Sequence, residues 1–166
     1  MICPSCGAEN IQGEDSCANC GADLRTADIP QPSSSFEQRL VAEPLSTLAS
    51  GAPLTVAPST PAAEALRMMQ KHEIGSLVVE QDGRVVGIFT EIDALAKLSD
   101  ANIAGLKMAE LMTPDPVVLR PDDSIAVAIH KMAVGGFRHI PLVDDGRATA
   151  IVSARDVFRH ILEVID

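Results

Sequence analysis

The sequence is poor in aromatic residues, with four phenylalanines and neither tyrosine nor tryptophan among 166 residues. Proteins that bind single-stranded nucleic acid without sequence preference stack the bases on aromatic side chains, so this class is disfavoured. Basic residues are scarce as well: 13 Lys and Arg stand against 23 Asp and Glu, for a formal net charge of −10. Because DNA-binding domains carry a basic surface, we expect no nucleic-acid partner.

Long apolar runs are also missing. No stretch approaches the roughly 20 apolar residues that span a bilayer, and the N-terminus lacks the basic and apolar regions of a signal peptide. We therefore expect a cytoplasmic protein with no membrane contact. The hydrophobic fraction of 46% is that of a globular protein, and the length suits one compact domain with an appendage.

Four cysteines near the N-terminus predict a metal site in residues 1–24. Cys3-x2-Cys6 and Cys17-x2-Cys20 are each followed by glycine, and ten residues separate the two pairs. Four thiolates suit tetrahedral zinc, whereas disulfides would need an oxidising compartment. The segment resembles the zinc-ribbon family, and so small a core depends on its metal for folding. Iron accepts the same ligands, which leaves a rubredoxin-like electron carrier as an alternative.

Residues 25–44 are predicted to be a linker. Residues 29–35 are rich in proline and serine, which is typical of an extended segment, and residues 36–42 are predicted to form a short helix. Residues 1–44 carry seven acidic and two basic side chains, a charge of −5. This balance argues against phosphate binding by the ribbon and favours contact with a partner protein.

The rest of the chain contains one unit twice. Residues 45–97 match residues 108–160 without a gap at an offset of 63, so that Asp82-Gly83-Arg84 recurs as Asp145-Gly146-Arg147. Because the unit is repeated, we expect both copies to have the same fold, and this expectation comes before any reading of local patterns. We predict a first repeat over residues 45–107 and a second over residues 108–166.

Each copy predicts the order strand, helix, strand, strand, helix. Thr60 and Asp123 are expected to cap the first helices, whose apolar residues recur with helical spacing and so face a core. Asp-Gly between apolar runs predicts a hairpin in both copies. The strands are expected at 54–56, 76–79 and 84–89, and again at 117–119, 139–143 and 147–152. The fold class is α/β of the α+β kind, with the two units packed as a pseudo-twofold pair around one core.

Both copies contain an equivalent corner where the last strand meets the last helix. The first corner is Thr90-x-x-Asp93 and the second is Ser153-x-x-Asp156. A hydroxyl at the N-cap and an acid three residues later form a variant of the capping box, so helix capping alone accounts for both. The same geometry offers free amides to a phosphate and a carboxylate to a ribose.

Arg155 distinguishes the second corner from the first. A guanidinium binds phosphate strongly, and the first corner has Ile92 at the equivalent position. We therefore expect the second corner to be the better phosphate binder.

The tandem β-α-β-β-α units with these corners resemble the cystathionine β-synthase (CBS) domain pair, or Bateman module, over residues 45–166. The resemblance implies two clefts that bind adenosine-type ligands such as AMP, ADP, ATP or S-adenosylmethionine. It implies that Thr90 and Ser153 contact phosphate and that Asp93 and Asp156 hold the ribose. The base pocket that it implies is formed by Thr55, Ile74, Gly75, Ser76, Val118, Arg138, His139 and Pro141.

The resemblance also implies a homodimer that pairs through its helices. The sequence contains no recognisable catalytic motif, phosphate-binding loop or dinucleotide fingerprint, so we expect a regulatory protein and not an enzyme. The alternatives are the iron electron carrier and a structural module that binds no nucleotide.

Overall fold

The computed structural model describes residues 2–3, 5–10, 15–24, 34–49, 51–97 and 105–165. Their contacts divide the chain into two units, Met1–Gln38 and Arg39–Asp166. Residues 25–33, at the start of the predicted linker, lie outside the described residues. None of the described helices is long and apolar enough to cross a membrane.

The first unit contains two equivalent cysteine turns. In each, the first cysteine of the pair donates its amide to the carbonyl of a following alanine, at 2.9 Å for Cys3 and 2.8 Å for Cys17. The glycine after each pair has a positive φ, +74° at Gly7 and +70° at Gly21, which a residue without a Cβ adopts readily. Leu24 packs against Cys3 and Cys17 to form a small core.

The predicted short helix is present as α1 (Ser35–Ala42). The Ser34 hydroxyl accepts the amide of Glu37 at 3.1 Å, as a capping hydroxyl at a helix start does. A 3₁₀ turn, Leu45–Thr47, follows. The C-terminal part of the predicted linker is therefore regular structure.

The predicted order of elements is present in the first repeat and, apart from its opening strand, in the second. The first repeat consists of β1 (Thr55–Val56), α2 (Ala62–His72), β2 (Ser76–Gln81), β3 (Arg84–Thr90) and α3 (Glu91–Lys97). The second consists of α4 (Met108–Leu111), β4 (Thr113–Pro114), α5 (Ile125–Gly135), β5 (His139–Asp144), β6 (Arg147–Ser153) and α6 (Ala154–Ile165).

The prediction of a strand at 117–119 is wrong. Leu119 alone makes a parallel bridge, and its amide donates to the carbonyl of Pro141 at 3.1 Å. In the first repeat the equivalent ladder is longer, because the amide of Val78 donates to the carbonyl of Leu54 at 3.2 Å. Pro141 occupies the position of Val78 and has no N–H to donate, so the second ladder stops after one bridge.

The predicted caps of the first helices are wrong by one residue. Pro61 and Ser124 occupy the N-cap positions of α2 and α5. Thr60 Oγ1 accepts the amide of Ala57 at 3.1 Å, and Asp123 Oδ2 accepts an amide three residues before it at 2.7 Å. Both side chains close the turn before the helix, and so they are not available to cap it.

The strands form two sheets. One has the order β1-β2-β3-β4, and the other consists of β5 and β6. β1 runs parallel to β2, and the other pairs are antiparallel. In both hairpins the Asp and Gly of the turn have positive φ, 52° and 73° at Asp82 and Gly83 and 47° and 82° at Asp145 and Gly146. Positive φ at both central residues is a type I′ turn, which confirms the predicted hairpins.

Each repeat is completed by the opening segment of the other. The amide of Leu45, at the start of the first repeat, donates to the carbonyl of Asp123 in the second at 2.8 Å. Conversely, the amide of Met108 donates to the carbonyl of Thr60 at 2.9 Å, and β4 extends the sheet of the first repeat beside β3. Leu45 and Met108 are fully buried, so both exchanges remove apolar surface from water.

Candidate functional site

The four predicted metal ligands come together in the first unit. Cys3 Sγ lies 3.7 Å from Cys20 Sγ, and Cys6 Sγ lies 3.7 Å from Cys17 Sγ. All four sulfurs lie within 4.8 Å of one another. A tetrahedral ion with metal–sulfur bonds of about 2.3 Å places its ligands about 3.8 Å apart, so the cluster has the size that zinc requires.

Hydrogen bonds hold these sulfurs in place. The side-chain amide of Asn19 donates to Sγ of Cys6 at 3.6 Å. Asn10 is buried and accepts the amide of Ala18 at 2.9 Å, which links the two cysteine turns. Backbone N–H groups at the sulfur of Cys17, that of Cys20 foremost, outweigh burial and lower the pKa of this thiol to about 6. The thiolate, which is the form that binds metal, is thereby favoured.

The two strand-to-helix corners have the same hydrogen-bond pattern. The hydroxyl of Thr90 donates to Oδ2 of Asp93 at 2.6 Å, and the hydroxyl of Ser153 donates to Oδ2 of Asp156 at 2.6 Å. The amide of each hydroxyl residue donates to the same carboxylate oxygen, at 3.0 and 2.9 Å. The amide of each aspartate donates back to the hydroxyl, at 3.3 and 3.2 Å. This is the reciprocal geometry of the predicted capping box.

The other oxygen of Asp93, Oδ1, has two further partners. The hydroxyl of Thr113, in the opening segment of the second repeat, donates to it at 3.1 Å, and Nζ of Lys97 lies at 3.3 Å. Burial opposes ionisation of Asp93, but hydrogen bonds from Thr90 and Thr113 and the charge of Lys97 outweigh it and hold the pKa of Asp93 below its ordinary value. Asp93 is an ionised group that also joins the repeats.

The equivalent oxygen of Asp156 is less engaged. Within the described residues its charged neighbour is Arg159, whose Nη1 lies at 3.9 Å and whose side chain is 65% exposed. Ion pairs of this exposed kind contribute little. Oδ1 of Asp156 is therefore better placed than that of Asp93 to accept hydrogen bonds from a ligand.

His139 lies close to residues of both repeats. A Cβ placed on Gly75 would lie 3.3 Å from Oε2 of Glu91 and 3.5 Å from Nε2 of His139, so one side chain from each repeat approaches this glycine. Burial lowers the pKa of His139 although the charge of Glu91 opposes the shift, and the guanidinium groups of Arg138 and Arg155 lower it further. The imidazole is therefore uncharged at pH 7, with carboxylates and guanidinium groups nearby.

The remaining predicted pocket residues are distributed along the two sheets. Ser76 is buried and pairs with the first corner across β2 and β3. Ile74 borders a groove of about 650 Å³, and Val118 borders another of about 290 Å³. Thr55 and Pro141 border neither groove: Thr55 is exposed on β1, and Pro141 is fully buried.

Sequence reasoning did not identify Thr113, Lys97 or Glu91 at the corners. Lys97 follows Asp93 by one helical turn, so its position could have been inferred from the spacing. Thr113 lies 20 residues from Asp93 and arrives through β4, so no local pattern indicates it. Glu91, at the start of α3, lies beside Gly75, which precedes β2, so this contact also depends on the folded structure.

Gly87 is required by packing between the repeats. A Cβ at this position would lie 2.4 Å from Sδ and 3.0 Å from Cγ of Met112, which packs against the core of the first repeat. The second copy has Ala150 at the position of Gly87 and Ala49 at the position of Met112. By sequence equivalence, the larger strand residue of the second copy is matched with a smaller residue at the position of Met112.

Fold and site together define a tandem α+β repeat module that follows a four-cysteine metal segment. Residues 45–100 and 108–163 each match the family model of the CBS domain, and residues 2–24 match that of the zinc-ribbon domain. The chain belongs to the CBS-domain family and carries an N-terminal zinc ribbon, as the corners and cysteines predict.

Two curated proteins with similar sequences differ in how much of their length the chain covers. An uncharacterized 17.7 kDa protein of Acidianus ambivalens is 36% identical over 126 residues, which are 75% of this chain and 76% of that protein. The CBS domain-containing protein CBSCBSPB3 of Arabidopsis thaliana is 30% identical over 114 residues, which are 67% of this chain and 20% of that protein. The chain thus spans most of the first relative and about a fifth of the second.

Solved structures confirm the fold prediction. The CBS domain pair of protein MJ0100, in complex with 5′-methylthioadenosine and S-adenosyl-L-methionine, matches with a TM-score of 0.68 at 26% identity over 74% of this chain and 98% of that one. CBSX2 in complex with AMP matches with a TM-score of 0.67 at 25% identity over 74% of this chain and 99% of that one.

Proposed function

We propose that this chain is a non-enzymatic regulatory protein of the cytoplasm that binds adenosine-type ligands, such as AMP, ADP, ATP or S-adenosylmethionine, between its CBS repeats. One observation carries the proposal: two equivalent corners place a hydroxyl 2.6 Å from a carboxylate at the start of a helix. Helix amides at such a start bind phosphate, and a carboxylate binds ribose hydroxyls. The ligands of the two related CBS structures support this ligand class.

In the second cleft, Ser153 contacts the phosphate, Asp156 accepts the ribose hydroxyls and Arg155 neutralises the phosphate charge. Val118 and the backbone beside His139 border the base. In the first cleft the hydroxyl and carboxylate roles belong to Thr90 and Asp93, and the base lies near Ile74 and Ser76. A pocket of aliphatic side chains suits a sequence that has few aromatic residues.

We propose that the ribbon holds one zinc ion on its four cysteines and presents an acidic surface to a partner protein. The sulfur separations of 3.7 Å support the metal, and a reducing cytoplasm keeps the thiols available for it. The charge of −5 over residues 1–44 favours a partner with a basic surface.

We further propose that the protein is a homodimer that pairs through its helices. α6 exposes three large apolar side chains, Phe158 at 61%, Leu162 at 50% and Ile165 at 66%. Their spacing of four and three residues places them on one helix face, and a contiguous exposed apolar face marks an interaction surface. A ligand would regulate this dimer only if it bound one arrangement of the repeats better than another.

Calorimetry of zinc-loaded protein with AMP, ADP, ATP and S-adenosylmethionine tests the proposal. We expect saturable binding of at least one of them, and Asp156→Ala should weaken that binding. Absence of heat and of thermal stabilisation with every ligand would favour the structural module. A colourless sample with stoichiometric zinc would rule out the iron electron carrier, whereas visible absorption from bound iron would support it.

A further inference from the structure

Hydrogen-bond donors surround both oxygens of the Asp93 carboxylate. Oδ2 accepts the amide of Thr90 at 3.0 Å and its hydroxyl at 2.6 Å. Oδ1 accepts the hydroxyl of Thr113 at 3.1 Å and has Nζ of Lys97 at 3.3 Å. A carboxylate oxygen accepts about two hydrogen bonds, so these donors fill both oxygens. A ribose hydroxyl can therefore bond to Asp93 only if one of them leaves.

The donors differ in how easily a ligand can replace them. Both groups of Thr90 belong to the capping box, and their loss would undo the start of α3. Lys97 is charged and is held in place by the carbonyl of Leu111, to which it donates at 2.7 Å. Thr113 is uncharged and exposed, and it lies on β4 at the edge of the sheet. Its hydroxyl can turn to water, so it is the donor that a ligand displaces most easily.

The backbone that carries Thr113 is joined to the first repeat at its edge. Thr113 pairs with Ile88 of β3, and the amide of Asp115 donates to the carbonyl of Val86 at 3.3 Å. Asp115 has a φ of +45°, which is uncommon for a residue other than glycine and persists only where surrounding contacts hold it. The bond from Thr113 to Asp93 is one of the contacts that hold this segment, residues 113–115, in place.

We propose that Thr113 is a built-in competitor for the first corner. Its hydroxyl occupies the oxygen of Asp93 that a ribose hydroxyl needs, and a ligand that binds there displaces it. This inference rests on the proposed function, in which Asp93 holds a ribose. Because Thr113 belongs to the second repeat, its displacement loosens residues 113–115 from the first repeat.

The competition links occupancy of this corner to the join between the repeats. If a ligand weakens the bond between Thr113 and Asp93, then loss of that bond must strengthen ligand binding by the same factor. The loosening is confined to residues 113–115, because Met108 and Leu111 of the preceding helix α4 are buried and Lys97 continues to hold the end of that helix.

The test is calorimetry of AMP on the full zinc-loaded chain with Asp156→Ala, which leaves Asp93 as the corner carboxylate. In this background Thr113→Val removes the hydroxyl and keeps the β-branched shape. It should strengthen AMP binding about three- to tenfold, the net effect of one hydrogen bond. Thr113→Ser retains a hydroxyl and should retain the original affinity. 2′,3′-Dideoxyadenosine monophosphate has no ribose hydroxyl for Oδ1, so Thr113→Val should not strengthen its binding.

Two further variants show whether the gain depends on the acceptor. Thr149→Val makes the same change at an exposed strand threonine, whose hydroxyl donates to the carbonyl of Leu142 at 3.2 Å, and should leave the affinity unchanged. Asp93→Ala removes the acceptor, so Thr113→Val should produce no gain in its presence. Weaker AMP binding by Thr113→Val would show that Thr113 contacts the ligand itself and would overturn the competition. An unchanged affinity, or an equal gain for the dideoxy probe, would also overturn it.

Hydrogen exchange measured by NMR tests the loosening. With AMP bound in the Asp156→Ala chain, the amide of Asp115 should exchange faster than in the free protein. The amide of Met108, which donates to the carbonyl of Thr60 at 2.9 Å, is the internal reference and should not change. Unchanged or slower exchange at Asp115 would overturn the link to the join. AMP binding by the unaltered chain but not by the Asp156→Ala chains would overturn this inference alone, and absence of AMP binding by every chain would overturn the proposed function as well.

Discussion

The hydroxyl of Thr113 donates a hydrogen bond of 3.1 Å to Oδ1 of Asp93, so a residue of the second repeat is bonded at the corner of the first. Lys97 lies 3.3 Å from the same oxygen. In the described part of the second corner, the nearest cation to Asp156 is Arg159 at 3.9 Å. Each corner has its own capping box with the same hydrogen bonds. The corners differ in the partners of the other carboxylate oxygen, Oδ1, which is more engaged at Asp93 than at Asp156.

This difference predicts unequal effects of two alanine substitutions. Asp156→Ala should remove most of the thermal stabilisation produced by AMP, and Asp93→Ala should remove less. A ligand present at about 100 times its dissociation constant stabilises by about 2.7 kcal/mol, so the loss is measurable by differential scanning fluorimetry. Asp122→Ala, at an exposed position away from both corners, is the control. An equal or reversed order would contradict the asymmetry.

Gly87→Ala should destabilise the CBS pair. The added methyl group would lie 2.4 Å from Sδ of Met112, and forcing extra volume into a packed site costs about 1–3 kcal/mol. Urea unfolding measures the change. Gly105→Ala is the control, because a Cβ there meets no atom within 4 Å. Equal midpoints for the two variants would show that Met112 moves aside without cost.

Zinc retention should depend on pH through Cys17. Hydrogen bonds, that of the Cys20 amide foremost, lower its pKa to about 6, so the folded ribbon carries this thiolate at neutral pH and loses it as the pH falls through that value. Protons then compete with the metal for the sulfur, and because a bound cation stabilises the thiolate further, zinc should be retained at neutral pH and released only in acid, below the pKa of the empty site. A chromophoric indicator measures the release. Cys17→Ser should release zinc at neutral pH also, and full retention by this variant would argue against the four-thiolate site.

Glu43 and His160 should be energetically coupled. Nε2 of His160 lies 2.5 Å from Oε2 of Glu43, and their side chains are 17% and 27% exposed. A double-mutant cycle with alanine should give a coupling of about 0.5–3 kcal/mol for this pair. The pair Arg39–Glu43, at 3.4 Å with an arginine 54% exposed, should give less than about 0.5 kcal/mol. A larger coupling for the arginine would reverse this ranking.

Leu162→Glu should convert the proposed dimer into monomers. It places a charge in the middle of the apolar face that Phe158 and Ile165 complete, and burying an unpaired charge at an interface is strongly unfavourable. Light scattering over a range of protein concentrations measures the mass. Glu163→Lys, on the same helix outside that face, should leave the mass unchanged. A monomeric unaltered protein would exclude the dimer.

The corners could be predicted from sequence because every group in the box is local. Thr90 and Asp93 are three residues apart, and so are Ser153 and Asp156, so the repeat itself shows that they are equivalent. The cysteine cluster was predictable for the same reason, since each turn is formed within a few residues. Because the two copies align at a constant offset, an element predicted in one repeat is also predicted at the equivalent residues of the other.

What could not be predicted depends on contacts between distant segments. Thr113 joins Asp93 only because β4 pairs with β3, and Glu91 reaches Gly75 only in the folded repeat. The strand expected at 117–119 fails through a missing N–H on the neighbouring strand, at Pro141. In each case the contact depends on tertiary packing, so local sequence propensity does not predict it.

Leu45 and Met108 are each assigned to one repeat by sequence and bonded to the other in space. A chain cut between the repeats would therefore leave two fragments that each lack a buried piece of their own interior. We expect neither fragment to be ordered by itself and both to become ordered on mixing, as complementary parts of a single cooperative domain. The duplicated sequence is therefore expected to unfold as one cooperative unit and not as two.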